Sequence, residues 1–332
     1  MIRREPLDHD MIIDRDLRIH IVIGSTHPPG RVFTYVKYIP AHQKSYGALW
    51  ILRGVPLIRV LERYSVAYLE KISRHHREEW DPVYGARMPS IGYLDILEHL
   101  LPEERALEVY IRPRDSLEAM VSDLIYRIKD YVGIPMSSIG VGGSILGSFH
   151  MVGRSDIDLI IYGCRNAEEI YEKAHELGKP LSGEALERWA MNLSRLHSIP
   201  IELARAMYSP YRRIIFSGVE TTFVFPEDFR RYGYEIIDSL GRCVEIRAEI
   251  PGRQCTSLQY PGRAIISRVI DSPLDMPKIG EVVLYEGTYS PILYKGGIFK
   301  IYGLVQYVMP SSIYRIAVGT RECRGQVIPE NL

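Results

Sequence analysis

Apolar and polar positions alternate with a period of two across residues 17–24 and 31–39, which predicts a pair of strands. Ser25-Thr26-His27-Pro28-Pro29-Gly30 between them demands a turn. Residues 59–74 set Leu61, Tyr64, Tyr68, Leu69 and Ile72 on one side of a helix. A polar loop is expected over 73–89, then a short helix over 93–100 that ends before Pro102. Leu117, Met120, Val121, Leu124, Ile125, Ile128 and Tyr131 recur at helical spacing, with Asp115 as N-cap, Glu118 at N3 and Gly133 past the end. A strand reaching Val141 runs into the turn Gly142-Gly143-Ser144, which opens a brief helix, and a second strand covers about 156–162. Two helices follow, one capped by Asn166 and ended by Gly178, the other over 183–196. A hairpin is expected over 213–226. Beyond residue 240 the pattern returns to strands: 244–250 alternates strictly, and 264–270, 281–286, 298–308 and 313–318 continue it.

The fold class expected is α+β, with a β-rich N-terminal accessory domain over 1–112, an α/β core over 113–240 and a β-barrel-like domain over 241–332. The 332 residues suffice for several domains and a sizeable core. Lys+Arg and Asp+Glu both number 41, so any contact with nucleic acid must come from a local patch. No apolar run reaches the length of a membrane span, and the charged start MIRREPLDHD lacks a signal peptide's apolar stretch. Cys164, Cys243, Cys255 and Cys323 show no metal-ligand spacing and read as reduced thiols of a cytoplasmic protein. Abundant Arg and Tyr, with little Asn or Gln, are compatible with a thermophile.

The sharpest chemistry lies in 137–163. Asp156 and Asp158 stand two apart on a strand, so both side chains project to one face while Ile157 and Leu159 turn into the core. Two carboxylates aimed at one point repel unless a cation lies between them, and Mg²⁺ or Mn²⁺ suits such oxygen ligands. The Gly142-Gly143-Ser144 turn offers small residues and backbone N–H groups to an anion such as a triphosphate. At these residues, Gly143-Ser144 and Ser155-Asp156-Ile157-Asp158-Leu159, the chain resembles the nucleotidyltransferase (polymerase-β-like) superfamily in its small archaeal or bacterial style. The resemblance implies a nucleotidyltransferase core over about 115–230. It also implies metal held by Asp156 and Asp158, and phosphate contacts from Gly142, Gly143, Ser144 and Ser155. Arg154 either neutralises phosphate charge or is solvated. The superfamily usually carries a third carboxylate on a later strand. Here Glu220, Glu202, Asp228, Glu245 and Glu249 are all candidates, and the arm 222–225 carries no acid.

Other groups stay open between function and packing. His27 and Arg31 either grip a phosphate or belong to a stiff hairpin; His75 and His76 read as surface residues; His150 reads as reaching the acids or as a core or surface residue. Arg212, Arg213, Arg230 and Arg231, interleaved with Tyr208, Tyr211 and Tyr232, suit phosphates and stacked bases or a solvated edge over core tyrosines. Arg263 and Arg321 to Arg324 would extend such a surface. The function expected is transfer of a nucleoside monophosphate from an NTP to a hydroxyl acceptor, RNA or protein being favoured, with release of pyrophosphate. The alternatives are an inactive nucleotide- or RNA-binding regulator that keeps the fold, and a partner-directed interaction module.

Overall fold

The computed structural model describes residues 2–41, 50–61, 72–273 and 278–330. Among them the chain forms three sheets in a mixed α+β arrangement. In chain order the first sheet uses β1 (Met11–Asp14), β2 (Ile19–Val22), β3 (Arg31–Pro40), β4 (Trp50–Leu52), β5 (Val55–Arg59), β6 (Arg77–Asp81), β7 (Ala86–Gly92) and β8 (Ile96–Leu100). Its main path runs β4-β5-β3-β2-β1-β8, with β7 also pairing β3 and carrying β6. The alternation over 17–24 and 31–39 corresponds to β2 and β3, which pair antiparallel.

Two expectations in this region fail. The segment 73–89 is not simply a polar loop, because Arg77–Asp81 and Ala86–Gly92 form the β6–β7 hairpin. Polar side chains hide a strand whose backbone is paired but whose face is solvated. The segment 93–100 is a 3₁₀ turn, Tyr93–Asp95, followed by β8 rather than a helix. There Met11–Asp14 offers an edge and β8 pairs with it from Leu100 to Ile96. The helix lies just beyond, Pro102–Ile111, with Pro102 in its first turn where no N–H is needed. The helix expected over 59–74 falls largely on 62–71, outside the described residues.

The second sheet has β9 (Ile139–Val141), β10 (Ile157–Ile161), β11 (Lys179–Pro180), β12 (Arg213–Phe216) and β13 (Val219–Val224), in the order β11-β12-β13-β10-β9. β10 runs parallel to β13 and antiparallel to β9. Ile157, Leu159 and Ile161 are fully buried, packed in one cluster with Leu117, Val121, Leu124 and Ile125 of helix Ser116–Arg127 and with Ile170 and Ala174 of helix Cys164–Leu177. Asp115 caps the former as expected, accepting from the N–H of Leu117 at 2.9 Å and Glu118 at 3.0 Å. Gly133 closes the last turn at φ 88°. Helix Cys164–Leu177 begins earlier than expected: its cap is Gly163, and Asn166 lies inside the first turn, donating to the Tyr162 carbonyl at 2.7 Å.

The third sheet holds β14 (Ile236–Ile250), β15 (Gly262–Ile265), β16 (Arg268–Asp271), β17 (Ile279–Leu284), β18 (Gly297–Met309), β19 (Ile313–Val318) and β20 (Gln326–Pro329). Its apolar face buries Ile246, Ala248 and Ile250 together with Ala190 and Leu193 of helix Gly183–His197 and Leu203 of helix Ile201–Ala206. The cysteines are not free thiols: Cys164 pairs with Cys255 and Cys243 with Cys323. Pairing partners separated by 91 and 80 residues have no local signature, so spacing alone misses them. No helix among the described residues is long and apolar enough to cross a membrane.

Candidate active site

The paired acids stand where β9, its following turn and β10 meet. The N–H of Gly142 donates to the carbonyl of Asp158 at 2.8 Å, which clamps the turn onto the acid-bearing strand. Gly143 takes φ +59°, and a Cβ there would lie 2.2 Å from Oδ2 of Asp158. Only glycine leaves that carboxylate its place. The Ser144 hydroxyl donates to Oγ of Ser155 at 3.2 Å, and Ser155 Oγ accepts from the Met151 N–H at 2.9 Å. The loop that leads into β10 is thereby tied to the glycine turn. Of the residues expected at the site, Gly143, Ser144, Arg154, Ser155, Asp156 and Asp158 all line one cleft, while Gly142 acts through its backbone from behind.

Asp156 is exposed at the edge of that cleft and Asp158 lies deeper, partly buried. Burial pushes the Asp158 carboxyl above its ordinary range, and the neighbouring charge of Asp156 pushes it the same way. Lys37, His9 and Arg213 act in the opposite sense. Neither acid has an ion-pair partner among the described residues, although the rest of the molecule is rich in such pairs. A carboxylate pair held together by backbone register, at an electrostatic cost, has the donor set of a hard divalent cation.

Across the sheet, the register sets Thr222 of β13 beside Asp158 and Arg213 of β12 beside Thr222. Glu220 lies two residues earlier on the same face and pairs with Arg213 at 2.8 Å. Among the candidate third carboxylates Glu220 alone lines the cleft. Asp228 accepts from Gln259 at 3.3 Å, and Glu249 pairs with Arg268 at 3.1 Å on the third sheet. The cleft encloses about 1420 Å³, and its walls come from all three sheets. Lys37 and Tyr35 reach it from β3, Trp189 from helix Gly183–His197, Tyr208 and Arg212 from the segment before β12, and Arg321 from the end of the chain. Arg321 and Glu78 form a two-pronged ion pair at 2.7 Å that joins the first and third sheets along this wall.

The chain matches no family model, no curated protein and no solved structure.

The remaining candidates divide. His27 is buried, its Nε2 lies 3.1 Å from the Pro6 carbonyl oxygen, and burial lowers its pKa to about 4. Arg31 pairs with Glu79 and donates to Ser90, so the Pro-Pro turn is a stiff hairpin. His76 departs from the surface reading: its ring packs edge-on to Tyr35 at 5.8 Å, and burial lowers its pKa to about 4. The Arg/Tyr group splits, because Tyr211 is a core residue stacked on Phe225 at 4.6 Å and Tyr232 donates to Asp81 at 2.5 Å. Arg230 faces Glu235 and Glu227 at 3.5 and 3.7 Å, and Arg263 faces Glu235 at 3.0 Å, away from solvent.

His150 does not reach the acid pair. Its Nε2 lies 2.8 Å from Oδ2 of Asp115, and with Glu118 these residues bring three donor atoms within 4.8 Å of one another. Such a set can hold a metal ion. Here, however, Asp115 already caps a helix, and Glu118 accepts from Arg105 and from the Arg114 N–H. The cluster is accounted for as the lock on that helix start. What the sequence reading missed is the contribution of the first sheet. Its signal was a lysine in an apolar strand: Lys37 is only 8% exposed on β3.

Proposed function

We propose that the chain is a metal-dependent nucleotidyltransferase with a polymerase-β-like core, moving a nucleoside monophosphate from an NTP to a hydroxyl acceptor. The observation that carries this reading is the unpaired Asp156–Asp158 set beside a turn in which Gly143 has no room for a side chain. Asp156 and Asp158 would hold Mg²⁺ or Mn²⁺, with Glu220 the next carboxylate on the same face. Such an ion supplies charge neutralisation to the triphosphate and the departing pyrophosphate. Ser144 donates its hydroxyl to a terminal phosphate oxygen, and Arg154 and Arg213 add positive charge along the phosphate chain. A cleft of about 1420 Å³ exceeds the roughly 300–1,000 Å³ usual for one small ligand, which supports a bulky acceptor beside the nucleotide. Arginines interleaved with Trp189 and Tyr208 favour an RNA end or a protein segment there.

A second reading is a nucleotide- or RNA-binding regulator without turnover. It draws on Thr222 standing opposite Asp158 and on Glu220 being engaged by Arg213. The two part in one experiment. Each α-labelled NTP is incubated with Mg²⁺ or Mn²⁺ and fractionated cell extract as acceptor. Label fixed on RNA, protein or a metabolite, and absent with Asp156→Asn, is the result expected. Saturable metal-dependent NTP binding with no label fixed would select the regulator, and no NTP binding at all would remove both.

A further inference from the structure

The third sheet grips one hairpin of the first sheet at two points. Arg321 holds Glu78 of β6 in the two-pronged pair at 2.7 Å. The Ile237 N–H of β14 donates at 2.6 Å to the carbonyl of Pro82, in the turn between β6 and β7. The same hairpin supplies Tyr84, Gly85, Arg87 and Met88 to the cleft. The two grips come from separate segments of the chain. Arg321 sits in a tight turn bounded by Gly319 and Gly325, both at positive φ. Within it the Gly319 N–H donates to the Arg324 carbonyl at 2.7 Å. Oγ1 of Thr320 accepts from the Cys323 N–H and donates to its carbonyl, each at 3.0 Å. Ile237 lies on the first stretch of β14, which bulges over 240–242 before its ladder with β18 resumes at Cys243. The Cys243–Cys323 bond fastens the turn to β14 just past that bulge. A turn closed on itself and an interrupted ladder are thereby made into one clamp. Cys323 is 4% exposed and Cys243 partly buried, and both line a pocket of about 400 Å³. That volume lies within the range of small-ligand sites, and the pocket shares Leu196, Glu286 and Glu322 with the cleft. Cys164 and Cys255 line neither.

We propose that Cys243–Cys323 is a thiol-exchange site, and that its reduction by a low-molecular-weight thiol releases the third sheet's grip on the β6–β7 hairpin. The inference goes beyond the transferase reading and does not depend on it. In the step, a thiolate entering the pocket attacks the Cys243 sulfur, the more exposed of the two. The S–S bond breaks with its electron pair on the Cys323 sulfur, which takes a proton from water. A second thiolate attacks the small molecule's sulfur in the mixed disulfide, and Cys243 leaves as a thiolate that is protonated in turn. The protein pair gains two electrons and two protons, and the two small thiols depart as one disulfide. The turn that carries Arg321 is then held to β14 by no covalent bond. The side chains of Arg321 and Glu78 are 29% and 13% exposed. A partly solvated ion pair adds little once either end can move, because ordering two long side chains offsets the attraction. The hairpin wall of the cleft is therefore firm in the oxidised chain and loose in the reduced one.

The test uses the full chain with Cys164→Ser and Cys255→Ser, so that a reductant meets a single bond. Amide hydrogen exchange is followed by mass spectrometry with and without 2-mercaptoethanol, and alkylation reports the thiols formed. Reduction should expose Cys243 and Cys323 to alkylation under native conditions. Protection should then be lost over 77–90 and 236–239, while helix Ser116–Arg127 exchanges as before. Glu78→Gln should lose protection over 77–90 with the bond intact, which reads the grip apart from the cross-link. Cys243→Ser with Cys323→Ser, in a chain that keeps Cys164–Cys255, should show the loose pattern without reductant. That variant against the oxidised wild type carries the comparison if the first chain does not fold. Complete alkylation at Cys243 and Cys323 with protection over 77–90 unchanged would overturn the clamp. A bond that 2-mercaptoethanol reduces only once the whole chain unfolds would overturn the exchange site. Fixation of α-label bears on the other reading alone: its absence from oxidised and reduced chains alike would count against the transferase, while the exchange pattern still decides the clamp.

Discussion

At the scale of single residues, the cleft is held together by groups placed against their own preference. Asp158 is disfavoured as an anion by burial and by Asp156, so Asp158→Asn should raise the melting temperature of the metal-free protein near neutral pH. The same variant should lose the further rise that Mg²⁺ with NTP gives the wild type, which a thermal-shift series reads directly. Gly143→Ala forces a side chain into a left-handed backbone, costing about 1–2 kcal/mol, and its methyl would displace the Asp158 carboxylate. We expect both a lower denaturant midpoint and weak NTP binding; an NTP dissociation constant equal to wild type would contradict the close packing of turn and acid. Glu286, which also lines the cleft, is partly buried, and its loss of solvent raises its carboxyl from 4.5 to about 7, with Arg212 only partly opposing. A raised carboxyl contributes stability that is complete below pH 4.5 and is lost as pH climbs through about 7. Glu286→Gln should therefore flatten the decline in melting temperature across that window. A decline of unchanged steepness would assign it to another group.

Among the elements, legibility in the sequence followed local energetics. Helix Ser116–Arg127 was read correctly because its cap, its apolar stripe and its terminating glycine are all encoded within a few turns. Asp115 does more than cap, since its second oxygen holds His150 at 2.8 Å. Asp115→Ala should cost about 1 kcal/mol as a lost cap, and more if the His150 contact adds to it. Urea unfolding of Asp115→Ala and His150→Ala, singly and together, measures that coupling. β8 shows the opposite case. Residues 96–100 carry enough apolar positions for either a helix or a strand, and the edge presented by β1, fixed far from it in sequence, decides for the strand. The β6–β7 hairpin was hidden in the same way, its ladder being a matter of backbone pairing under polar side chains.

For the whole molecule, the cross-links tie parts that the sequence keeps apart. Cys164 opens a helix of the core layer and Cys255 lies beyond β14, so their bond joins the second sheet's helices to the third-sheet unit. A bond that closes a loop of this size stabilises by typically 2–4 kcal/mol, mainly by restricting the unfolded chain. Cys164→Ser with Cys255→Ser should lower the melting temperature by several degrees, and reductant should lower that of the wild type. Peptide mapping after alkylation without reduction should return both cross-linked pairs. Free thiols at all four positions would remove this element of the structure. Disulfides also qualify the compartment expected from scattered cysteines, since they persist in oxidising surroundings and in proteins of hyperthermophiles.

The sequence by itself determined the acid pair, the turn beside it and the helices that cover the back of their sheet. Each of these is a short-range fact: i and i+2 share a face of a strand, a cap acts within one turn, and a glycine's φ belongs to one residue. Only the tertiary structure decided that His9, Lys37 and Tyr35 belong to the same cleft, that Glu220 is the one candidate acid in it, and that the cysteines meet in pairs. Those relations join residues more than a hundred positions apart in some cases, such as Lys37 and Asp158. Contacts at that range are set by which apolar faces must bury one another, and no local pattern in the chain records which partner each face will find.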